Sequence, residues 1–251
     1  MPTIAWHSNG TVGSQISVAS PGFPTTIAAG DLLVCVVANK YPTNGPALPT
    51  DAFGGIWVAP SNNQGTGGAG APGVDSGDVY STIFVKEATG TETGSLTGSV
   101  TSGDCLVTFI SRFTKTGGVW SYAACNGGDT SSDTSYSATG NVDPGVQAGD
   151  IVLQMTAVNN GNALVGTHTI TQTGVTYSAV ELYDNGTSFG DNIGLKVSYH
   201  TATAGVSSNV PTYSTTLTVA GAGATSMLRI RAVDITPITG LGRRHMGFIY
   251  T

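Results

Sequence analysis

The chain has 251 residues and a formal charge of −6, so it lacks the clustered Lys and Arg that phosphate backbones require, and a nucleic-acid partner is excluded. Charged residues make up only 10% and Gly fills 36 positions, yet β-branched and aromatic residues recur throughout, which a disordered chain would lack. The longest apolar runs, such as residues 32–38, are too short to cross a bilayer, so no membrane insertion is expected.

No positive region followed by an apolar stretch opens the chain, and synthesis in the cytoplasm without a secretory leader is the expectation. No segment holds a helical period for three turns. Short strands bounded by Gly, Asn, Asp, Ser and Thr dominate, which predicts an all-β, antiparallel β-sandwich. Ile4, Ala5 and Trp6 form a short first strand. The phrase small-Gly-Asp then precedes an apolar strand four times, at Asp31, Asp78, Asp104 and Asp150. Gly permits the turn and Asp bonds nearby backbone N–H groups. The stretch from Pro21-Gly22 to Asp31 matches that from Pro144-Gly145 to Asp150, hinting at two related halves within one sandwich.

Residues 42–49 are Pro-rich and residues 61–73 are small and polar; both read as loops, either functional or simply surface. Cys105, Val107 and Phe109 alternate with polar neighbours, as do Ile193, Leu195, Val197 and Tyr199, and Leu228 and Ile230 with Arg229 and Arg231. Such alternation predicts one face on a core and one in water, with His200 solvated. Five Asn-Gly pairs, including Asn126-Gly127, read as tight turns. The predicted domain spans residues 1–235, and residues 236–251 form an extended arm ending in Met246, Phe248, Ile249 and Tyr250.

Sites of chemistry are poorly supported. Gly186-Thr187-Ser188-Phe189-Gly190 matches G-x-S-x-G, but the following alternating strand replaces the helix that a nucleophile elbow needs. Gly68 to Gly73 matches G-x-G-x-x-G inside a low-complexity loop, where Pro72 opposes the required helix. His7, His168, His200 and His245 show no zinc spacing, and the Asp129 to Asp133 and Asp184 to Asp191 loops do not fit an EF-hand. No catalytic residue, metal or cofactor is expected. Three Cys, with no Cys-x-x-Cys, read as buried free thiols, with one bond to Cys125 as the alternative. Trp is more often a packing residue than a stacking platform, but Tyr41 and Trp57 flank the Pro-rich loop and are the better candidates for partner contact.

The order of these features resembles jelly-roll-like virion proteins of tailed bacteriophages, described as virion or minor tail proteins. The residues carrying it are Ile4-Ala5-Trp6, Pro21-Gly22, the run from Ala29 to Val34, Trp57, the run from Val79 to Ala88, Gly149-Asp150 and the last strand from Met227 to Val233. Gly54-Gly55-Ile56-Trp57 is spaced wider than that pattern, and residues 236–251 have no counterpart in it. The resemblance implies a jelly-roll-like fold and a non-enzymatic accessory protein on the exterior of the particle, a capsid decoration protein first. Expected partners are copies of itself, with a trimer favoured, and major capsid or tail proteins. Expected contacts are Tyr41, Trp57, Arg243, Arg244, Met246, Phe248 and Tyr250. The alternative is a minor tail or fibre component, or a lectin-like module holding host surface glycans.

Overall fold

The computed structural model describes residues 2–15, 18–40, 49–65, 79–99, 105–159, 164–186 and 193–234, with no helix among them. The first half supplies β1 (Ile4–Asn9), β2 (Gly13–Gln15), β3 (Val18–Ala19), β4 (Leu32–Lys40), β5 (Val58–Gly65), β6 (Val79–Glu87), β7 (Gly98–Ser99) and β8 (Cys105–Lys115). The second supplies β9 (Val119–Thr139), β10 (Ile151–Val158), β11 (Leu164–Thr171), β12 (Val175–Gly186), β13 (Gly194–Gly205) and β14 (Thr212–Val233).

Each half makes its own antiparallel sheet. The first runs β1-β8-β4-β6-β5. In the second, β14 is flanked by β9 and β10, and the order continues through β13 to β12. Matching β1 with β9, β4 with β10, β5 with β12, β6 with β13 and β8 with β14 makes the two orders coincide. The repeated phrase in the sequence thus marks a repeated architecture. Among the described residues the chain passes between the two large sheets once, at residues 116–118, rather than wrapping back and forth as a jelly roll does.

The inner faces meet in one shared core. Leu32, Val34, Val36, Phe109 and Phe113 pack against Leu153, Met155, Leu195, Val197, Leu228 and Ile230. Ser226 donates to the Ser81 carbonyl at 2.6 Å across that core.

The outer faces are covered too, which corrects the expectation that alternating strands leave one face in water. Every residue of β4 and of β10 is buried. Over the first sheet, Ala19, Phe23, Trp57, Ala88 and Leu96 from connecting segments cover Leu33, Cys35, Phe84 and Ile110. Over the second, the β9–β14 ribbon folds back on itself. Gly127 makes this possible, because a side chain there would strike the Thr139 carbonyl at 2.8 Å. Asn126-Gly127 is therefore a site of close approach within β9, not a turn. The folded layer, with β11, buries Tyr136, Ala138, Ile170 and Tyr213 against Val152, Val158 and Met227.

Residues 61–65, expected in a loop, instead belong to the edge strand β5. Its register shifts between Val58 and Ser61, around Pro60, where a residue without an N–H is tolerated.

Candidate functional site

Of the expected contact residues, Tyr41, Arg243, Arg244, Met246, Phe248 and Tyr250 lie outside the described residues, as do most of the Pro-rich loop, the G-x-G-x-x-G segment, Thr187 to Gly190 and the arm. Trp57 is described, and it corrects the expectation. It is only 5% exposed, so its ring is part of the cover over the first sheet. Its indole N–H donates to Asp51 Oδ2 at 2.8 Å.

Asp51 belongs to a buried charge nest. Lys86 Nζ donates to both Asp51 oxygens, at 3.0 and 2.8 Å, and lies 3.2 Å from Glu92 Oε1. The ammonium also sits 5.9 Å from the centre of the Trp57 ring. Burial pushes the Asp51 carboxyl up, but bonds from Lys86, Trp57 and the Phe53 N–H outweigh it and leave the group below its usual range. Glu92 follows the same pattern: burial opposes ionisation, yet the Thr89 N–H and Lys86 bring it to about 2. Glu92 also accepts from the Gly90 and Thr91 N–H groups. One ammonium shared by two carboxylates, with backbone N–H groups on Glu92, ties the 51–53 and 89–92 segments to β6.

A second cluster carries parts of acyl-transfer chemistry. On the outer face of β13, Lys196, Ser198 and His200 alternate, and His168 faces them from β11. The Ser198 hydroxyl lies 2.8 Å from His168 Nδ1 and 2.9 Å from His200 Nε2. His200 is 1% exposed, not solvated as expected, because β11 and the folded ribbon lie over its strand. Burial lowers His200 to about 4. Burial, with His200 and Lys196 nearby, takes His168 well below its ordinary value. Lys196 is held by Asp184 and by Glu181 at 2.7 Å. A hydroxyl between two neutral imidazoles resembles a catalytic pair, but all three are sealed from solvent, and nucleophilic catalysis needs substrate within bonding reach.

The open site is elsewhere. A cleft of about 230 Å³ lies between the 147–150 turn, the end of β14, and Pro2 and Ile4. At its base Asp150 accepts from Arg231 Nε at 2.7 Å and from Nη2 at 2.5 Å, and Nη2 also donates to the Gly145 carbonyl at 2.7 Å. Asp150 Oδ2 accepts from the Gln147 N–H at 2.9 Å and so closes its own turn. The floor is a neutralised ion pair, and the walls mix Pro2, Ile4, Ala232 and Val233 with the polar Gln147 and Asp234. Such a cleft suits an apolar or aromatic side chain with a hydrogen-bond donor better than a free anion. Sequence reasoning did not reach it. The only signal was the repeated Gly-Asp phrase, which placed Asp150 at a turn but left its Arg231 partner to the register of β14.

Among the described residues no group of three or more His, Cys, Asp or Glu is placed to hold a metal ion. No family model matches the chain, and no curated protein or solved structure matches it.

Proposed function

We propose that this chain is a non-enzymatic accessory structural protein on the exterior of a tailed-bacteriophage particle, a capsid decoration protein, with residues 236–251 tethering it to a neighbouring subunit or to the capsid. It acts as a homo-oligomer, with a trimer favoured. The observation that carries the reading is the covering of both sheets on both faces by the chain's own segments, with the buried cations Lys86 and Arg112 held in ion pairs. A body sealed in this way suits a permanent surface component. The order of sequence features supports the same family, and a jelly-roll-like affinity is proposed only in the loose sense of two packed antiparallel sheets. The lectin-like alternative loses support, because Trp57 is committed to packing.

Immunogold microscopy with antibody against the chain, on particles from the phage that encodes it, tests the reading. Gold over the heads is the expected result. Gold confined to the tail would move the chain to a tail or fibre role. Unlabelled particles, with the protein free in the lysate, would overturn the virion reading.

A further inference from the structure

The two halves treat one backbone carbonyl differently. In the first, the Gly30 carbonyl accepts the Trp120 indole N–H at 2.8 Å and the Lys115 ammonium at 3.0 Å. That ammonium lies 4.7 Å from the centre of the Trp120 ring. Strand register identifies the counterparts. Leu32 pairs with Phe113 and Ile151 with Ile230, so Lys115 corresponds to Ala232. Ile4 pairs with Lys115 and Trp120 with Ala232, so Ile4 corresponds to Trp120. Gly149 corresponds to Gly30, with φ of 92° and 87°.

Neither Ile4 nor Ala232 has a side-chain donor. Among the described residues, no hydrogen bond reaches the Gly149 carbonyl. The space filled by indole and lysine around Gly30 corresponds to the cleft. A methyl built on Gly30 would meet Glu87 at 3.7 Å and Lys115 at 3.9 Å, whereas one on Gly149 meets nothing within 4 Å.

We infer that the cleft is a docking notch for an aromatic donor side chain beside a cationic one, and that its occupant is this chain's own segment 236–251. That segment continues from the rim, where Asp234 lines the cleft. It carries Arg243 and Arg244 with no Asp or Glu, against a net charge of −6, and its one hydroxyl-bearing aromatic is Tyr250. A chain of about 16 residues with random-coil statistics spans roughly 20–24 Å, a separation that corresponds to a near-millimolar effective concentration at the cleft. The inference concerns the free chain and stands apart from the particle reading.

Ile4→Trp restores the missing indole and fills the notch. Limited trypsin digestion of the full chain, followed by mass spectrometry, reads the rate of cutting after Arg243 and Arg244. Cutting is expected to be about tenfold slower in the parent than in Ile4→Trp, since cleavage tracks the undocked population. Tyr250→Ala is expected to raise the rate likewise, which keeps the test valid if Ile4→Trp fails to fold. Equal, rapid cutting in the parent and Tyr250→Ala overturns the inference. Protection that disappears on dilution assigns the notch to the arm of a second copy and overturns the own-chain occupant.

Discussion

Asp31 and Asp150 close the same turn twice. Asp31 Oδ2 accepts from the Ala28 N–H at 2.8 Å, as Asp150 Oδ2 does from Gln147 at 2.9 Å. The flanking bonds repeat as well: Gly30 N–H to the Ala88 carbonyl at 2.9 Å, and Gly149 N–H to that of Ala202 at 2.8 Å. Besides the bonds to the Gly30 carbonyl, the arginines differ. Arg112 serves both Asp31, at 2.6 Å, and the Thr25 carbonyl, at 3.3 Å. In the second half Arg229 takes the matching Pro144 carbonyl and Arg231 takes the carboxylate. Asp31→Ala leaves Arg112 buried without its counter-charge and is expected to cost about 3–5 kcal/mol. Asp150→Ala is expected to cost less, because Arg231 is partly solvated. Urea denaturation of the two variants checks the ranking.

Lys86→Met tests the nest over the first sheet. It strips the cation from Asp51 and Glu92 together, and a loss of about 3–5 kcal/mol is expected by the same argument. The triple variant Lys86→Met, Asp51→Asn, Glu92→Gln should recover part of it, since no charge is then stranded. Chemical denaturation of both measures the difference.

Trp57→Ala is expected to destabilise the fold by about 3–5 kcal/mol, the usual cost of emptying a buried aromatic site. The check is thermal unfolding. A variant that kept its stability and lost only partner binding would contradict the packing role.

The Ser198 cluster predicts acid sensitivity. His200 titrates near 4 in the fold and near 6.5 unfolded, and His168 is displaced the same way. The unfolded chain therefore binds more protons between these values, so stability is fully present above about pH 6.5 and falls as pH drops toward about 4. Glu92 adds a lower window, between its ordinary 4.5 and about 2. Urea midpoints measured from pH 7.5 to 3.5 should decline mainly below 6.5. His200→Gln should flatten the upper part of that decline.

The all-β character was legible because alternation and Gly-rich punctuation are local signals. The two related halves were legible as a hint, through the paired phrases ending at Asp31 and Asp150. What was not legible came from long-range packing. His200 and Arg229 occupy polar positions of alternating strands, and segments distant in sequence make those positions interior: β11 and the folded ribbon over His200, and Pro144 over Arg229. Trp57 flanks the Pro-rich loop, which suggested partner contact, but its bond to Asp51 and the Lys86 ammonium beside its ring hold it inward. The cleft depends on Ile4 meeting Gly149, a juxtaposition no local pattern encodes.

The single crossing at residues 116–118 bears on biosynthesis. Ribosomes add roughly 5–20 residues per second, so the first sheet is complete roughly 6–23 s before the second has emerged. Through that interval Leu32, Val34, Phe109 and Phe113 have no partner layer. The nascent N-terminal half is thus the aggregation-prone species on the folding route. Chaperone demand should peak at mid-translation and end when β14 docks.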